Sequence, residues 1–132
     1  GIDGYENGAQ LRDFVSVEDV VDLNIFLFAN PAVSGIFNVG TGRCQSFNDV
    51  AVATINRCRK EQGEVALDLS TLQNEKIIRY IDFPEKLKGK YQSFTEADIS
   101  ALRAAGYTHK FLSVEEGVSR YVGRLLEKLE QN

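Results

Sequence analysis

A chain of 132 residues is one domain's worth, enough for a modest core, and its apolar fraction of 43% and charged fraction of 26% are those of an ordinary globular protein. Its net charge of -4 supplies no overall basic field for nucleic acid, and no run approaches the ~18–20 apolar residues that a membrane-spanning helix needs. Cys44, Cys58 and the single His109 make neither a disulfide framework nor a zinc set, so both thiols are expected to be reduced, in a cytosolic setting, with no metal bound.

The chain opens Gly1-Ile2-Asp3-Gly4, without the basic and apolar regions of a signal peptide, and holds no Met, which points to a piece of a longer protein. Residues 1–11 are Gly-rich and polar and read as loop. Residues 12–17 alternate apolar and polar at the period of a short strand. Ser16, three residues before Asp19, has capping-box spacing and opens a helix over 17–29. That helix carries Val20, Val21, Leu23, Ile25, Phe26, Leu27 and Phe28, apolar nearly all round, and is expected to lie buried between layers. Asn30-Pro31 ends it. Residues 35–40 read as a second strand, closed by Gly40-Thr41-Gly42. Ser46 and Asp49 repeat the capping spacing before a helix with Phe47, Val50, Ala51, Thr54, Ile55 and Cys58 on one stripe. This turns Cys58 toward a core and leaves Cys44 near a turn. Residues 60–75 are polar and irregular and read as loop, and 76–83 as a third strand. Thr95 and Asp98 cap a helix bearing Ile99, Leu102 and Ala105, stopped by Gly106. Ser113 and Glu116 cap the last helix, whose inner face is predicted at Val114, Val118, Tyr121, Val122, Leu125 and Leu129. Strands and helices alternate early and helices dominate late, which defines an α/β class.

The stretch 82–92 is the least helix-like and least strand-like of all. Pro84 stiffens its entry, Gly89 loosens its middle, and Lys86, Lys88 and Lys90 cluster three cations before Tyr91. Such a loop suits closure over an anionic small ligand; by composition alone, a solvated connection kept soluble by its lysines is the plainer reading. Gly40-x-Gly42 follows a predicted strand and precedes a helix, as a phosphate cradle would. The third glycine of a dinucleotide fingerprint is missing, since Arg43, Cys44 and Gln45 follow, and a simple turn is the preferred reading. Arg12 is open between a phosphate clamp and an exposed salt-bridging arginine. Glu18, Asp19, Asp22, Asp98, Glu115 and Glu116 lie in first helical turns, where they offset the helix dipole, and form no catalytic pair. No tyrosine is followed four residues later by lysine, so nothing here is able to perform a reaction alone.

Two stretches, Arg-Asp-Phe-Val-Ser-Val-Glu-Asp-Val (12–20) and Gly-Ile-Phe-Asn-Val-Gly-Thr-Gly-Arg (35–43), resemble the C-terminal part of extended short-chain dehydrogenase/reductases that act on nucleotide sugars. Residues 83–98, 102–107 (Leu-Arg-Ala-Ala-Gly-Tyr) and 113–118 narrow the resemblance to the ADP-L-glycero-D-manno-heptose 6-epimerase family. It covers nearly the whole chain except about 60–76, where this sequence is longer than the family pattern. The resemblance implies an NADP-dependent epimerase of bacterial lipopolysaccharide inner-core synthesis, cytoplasmic and homo-oligomeric (a pentamer), whose substrate is ADP-heptose. It also implies the C-terminal substrate-binding portion of an extended Rossmann-type enzyme, over 1–132. The cofactor fingerprint and the catalytic Tyr-x-x-x-Lys belong to an N-terminal part, against which 17–42 would pack; this chain would then hold no catalytic residue, and alone it would be inactive.

By motif position, Arg12 and Tyr91 correspond to ligands of the nucleotide sugar, and Tyr5, Glu6 and Asn7 fall in the preceding substrate-contact loop, within one residue. Lys86, Lys88 and Lys90 extend that site by electrostatics alone. No nucleic-acid or membrane partner is expected. Another nucleotide-sugar epimerase or dehydratase of the same superfamily is the second reading, and a non-catalytic binding module the third; an upstream Gly-x-x-Gly-x-x-Gly unit with a Tyr-x-x-x-Lys separates the enzymes from the module.

Overall fold

In the computed structural model, which describes residues 4–87 and 90–131, the chain runs β1 (Leu11–Arg12), α1 (Val17–Ala29), β2 (Gln45–Ser46), α2 (Phe47–Glu61), α3 (Leu69–Asn74), a 3-10 turn (Glu85–Leu87), α4 (Ser100–Ala104) and α5 (Val114–Glu130). The mixed helix and strand content agrees with the predicted class. Short polar side chains start the long helices. The Asp49 N–H donates to Ser46 Oγ at 3.1 Å while the Ser46 N–H donates to Asp49 Oδ2 at 2.8 Å, a complete capping box for α2. Ser113 and Glu116 do the same for α5. Ser16 also caps α1, through the Glu18 N–H, but Asp19 leaves the box. Its carboxylate, 1% exposed, instead accepts from the Leu112 N–H at 2.9 Å. A buried carboxylate needs such donors, and this one ties α1 to the segment before α5.

Leu23 of α1, Leu102 of α4, Tyr107 and Phe111 form the buried core, with Val15, Phe26, Leu27, Phe37 and Ile99 packed around them. A second layer joins α2 to α5. Arg57 donates from Nε to the Ser119 carbonyl at 3.1 Å and lies so close to α5 that a Cβ at Gly123 would stand 2.7 Å from its Nη2. Glu18 reaches from α1 to Arg120 and Arg124 on α5. No helix among the described residues is long and apolar enough to cross a membrane. Cys44 and Cys58 are free thiols, both half-buried.

The structure departs from the predicted elements in several places. Only two residues of 12–17 and its neighbours are laddered, Leu11 opposite Ser46 and Arg12 opposite Gln45 in antiparallel register, with a parallel bridge from Leu11 to Phe94. Residues 35–40 and 76–83 have strand-like patterns but join no ladder among the described residues, because alternation fits a chain to a sheet only where a neighbouring strand completes its hydrogen bonds. Thr95 does not open a helix: its N–H is spent on the Leu11 carbonyl, and α4 starts at Ser100 after Asp98 accepts from the Ser100 N–H. The predicted loop 60–75 contains α3, capped by Asp68 and anchored by the fully buried Leu72. On α1 and α5 the apolar faces are only partly covered: Val17, Val21, Ile25 and Phe28 are exposed on the first, and Tyr121, Leu125 and Leu129 on the second.

Candidate ligand-binding site

The register of β1 with β2 puts Arg12 beside the first turn of α2. Its Nη1 donates to the Leu11 carbonyl at 2.7 Å, and its Cζ lies 4.7 Å from the Tyr91 ring centroid and 5.9 Å from that of Phe47. Guanidinium and ring quadrupole attract at these distances. The rings are themselves supported edge-on: Phe83 against Tyr91 at 5.3 Å and Phe14 against Phe47 at 5.3 Å. Beside this stack opens a cleft of about 670 Å³, lined by Asn7, Gly8, Gln10, Phe47, Tyr80, Phe83 and Tyr91 among others, with Asp82 and Glu85 adding carboxylates. A smaller cleft of about 470 Å³, which includes Glu6, Gln73 and Asn48, shares Asn7 and Tyr80 with it.

Asn48 organises the wall between the two. Its N–H donates to the Gly8 carbonyl at 2.9 Å, its Nδ2 to the Asn7 carbonyl at 3.0 Å, and its Oδ1 accepts from the Tyr80 hydroxyl at 2.7 Å. Gln73 Nε2 in turn donates to the Tyr80 hydroxyl at 2.7 Å. Gly8 adopts φ +72°, and a Cβ there would collide with the Asn48 amide, so the 7–8 turn fits only because residue 8 is glycine.

The residue after Arg12 decides what Gly40-Thr41-Gly42 does. Asp13 Oδ1 accepts from the Thr41 N–H at 2.7 Å and the Thr41 hydroxyl at 2.6 Å, and Oδ2 accepts from the N–H groups of Gly42 at 3.0 Å and Ala97 at 3.1 Å. Burial alone would raise the pKa of this carboxyl, but the four donors outweigh it and hold it below the usual aspartate range. A Cβ at Gly40 would stand 2.5 Å from Asp13 Oδ2 and 2.6 Å from the Ala97 Cβ. The glycine pair therefore cradles the chain's own carboxylate, which takes the Thr41 and Gly42 N–H groups that a phosphate would need. The turn reading is the one that fits, and these residues do not fit NADP.

Of the sequence-predicted residues, Tyr91 and Asn7 line the larger cleft, Arg12 lies against the Tyr91 ring without lining the cleft itself, and Glu6 lines the smaller one. Tyr5 is half-buried and lines neither. Lys86 and Lys90 are exposed and do not line the larger cleft, and Lys88 lies outside the described residues. Sequence reading missed Phe47, Asn48, Tyr80 and Phe83. Phe47 lies on the predicted helix stripe, and its place directly after the capping Ser46 is the one signal that marks it as the first turn of α2. It missed a second grouping as well: His109 Nε2 lies 3.4 Å from Asp19 Oδ1 and 3.8 Å from Asp22 Oδ2, joining the loop after α4 to α1.

No family model matches the chain. Among curated proteins it is similar to part of an epimerase. That relative is the ADP-L-glycero-D-manno-heptose-6-epimerase of Thiobacillus denitrificans, 65% identical over 127 residues, 96% of this chain. The match takes in only 38% of the relative's length.

Proposed function

We propose that this chain is the substrate-binding portion of an NADP-dependent ADP-glycero-manno-heptose 6-epimerase, which inverts a heptose carbon by oxidation to a ketone and re-reduction. The 65% identity along 96% of the chain carries this reading. The Arg12–Tyr91 stack at the edge of an open cleft supports it, because a guanidinium braced on rings keeps a planar fork of N–H donors for phosphate oxygens. In this reading Arg12 takes the diphosphate, Tyr91 and the 5–7 loop contact the nucleotide sugar, and the lysines at 86, 88 and 90 attract its charge. NADP and the reacting groups belong to polypeptide outside these 132 residues, against which 17–42 packs. The reaction serves lipopolysaccharide inner-core synthesis in the bacterial cytoplasm, in a homo-oligomer.

The test is turnover by the full-length protein that carries this chain, supplied with ADP-heptose and, separately, with UDP-hexoses. Epimerisation at the 6-position of ADP-heptose alone is expected. Turnover of UDP-hexoses instead would move the protein to another enzyme of the superfamily. The isolated chain is expected to turn over neither, because it contains no Tyr-x-x-x-Lys; conversion of ADP-heptose by the chain alone would contradict the proposal.

A further inference from the structure

We propose that Phe47 is a positioning residue for Arg12, holding its guanidinium in the orientation that receives the ligand's phosphate oxygens. The inference rests on the reading of Arg12 given above. An arginine side chain gives up much rotamer freedom when it is fixed, so a guanidinium held in place needs partners that fix its plane. Among the described residues its guanidinium has one hydrogen bond, to the adjacent Leu11 carbonyl, which restrains one nitrogen and not the plane of the group. Two rings supply the rest, those of Tyr91 and Phe47. Tyr91 sits in a loop. Phe47 is placed by three independent constraints: the pairing of Arg12 with Gln45 and of Leu11 with Ser46, the capping box that makes Phe47 the first residue of α2, and the edge contact with Phe14. It is 37% exposed and stands outside the buried core cluster, so core packing does not account for its position. Rings against a guanidinium leave its N–H edge open, and that edge is what a phosphate oxygen pair engages.

Phe47 also lines the cleft, so its action through Arg12 must be separated from direct contact with the ligand. In the full-length protein, ADP binding is measured by titration calorimetry and stability by thermal unfolding for the parent, F47L, F47M, F47Y, R12A and the double variant R12A/F47L. F47L and F47M are expected to weaken ADP binding by about 5- to 10-fold, the size of a partly exposed cation–π contact, and F47Y by less than about twofold. On the R12A background, F47L is expected to cause no further loss, because its effect passes through the guanidinium. An equal loss from F47L with and without Arg12 would overturn the inference, as would unchanged binding by both F47L and F47M. Should the parent itself fail to bind ADP, the reading of Arg12 falls and this inference falls with it; parent binding with additive variants sinks the inference alone.

Discussion

Asp13 shows how one side chain can settle a question that a motif leaves open. Its carboxylate collects the donors of Thr41, Gly42 and Ala97, knotting three segments far apart in sequence directly beside Arg12. Replacing it by Asn leaves donors facing an amide, and D13N is expected to lose about 3 kcal/mol in denaturant unfolding, since hydrogen bonds to a charged group are worth roughly 1.5–3 kcal/mol each. The pH dependence has a definite sign. The folded pKa lies below the unfolded one, so the stabilisation is complete above the ordinary aspartate range, near pH 4, and is lost as pH falls through the folded value. Unfolding midpoints of the parent should therefore fall more steeply below about pH 4 than those of D13N; parallel slopes would show that the carboxylate is not the titrating link.

At the scale of elements, α3 is held by Asp68 at one end and by an unusual residue at the other. Lys76 takes φ +59° just past its C-terminus, where the N–H groups of Ile77 and Ile78 both reach back to the Leu72 carbonyl. Glycine belongs in that left-handed position, so K76G is expected to stabilise by about 1 kcal/mol, read as a higher denaturant midpoint. Unchanged or lowered stability would mean that the lysine side chain contributes what its backbone loses. Helices were legible in sequence where a capping serine preceded a long apolar run, as at Ser46 and Ser113. The strands were not. Residues 35–40 and 76–83 have the right residues, but a strand is defined by a neighbour, and no periodicity reveals whether one is present. The site was legible only in part, because Phe47 and Asn48 act through the tertiary position of the first turn of α2, while Arg12 and Tyr91 lie within quotable motifs.

The whole molecule leaves an apolar stripe open. Val17, Val21, Ile25 and Phe28 follow helical spacing along α1, Phe28 is 91% exposed, and Ile36 nearby in sequence is 99% exposed. Exposed apolar surface of this kind marks an interaction face. The isolated chain is expected to self-associate in sedimentation velocity and to bind a dye that reports apolar surface; a monomer without dye binding would show that 17–42 needs no partner. The proposed function depends on Arg12 and Tyr91 acting as ligands of the nucleotide sugar. Its most direct test is the dissociation constant of ADP-heptose from the full-length protein and from R12A and Y91F. Each substitution removes a contact worth roughly 1–3 kcal/mol, so weakening by about 5- to 150-fold is predicted, with folding preserved. Binding by both variants at the strength of the parent would contradict it.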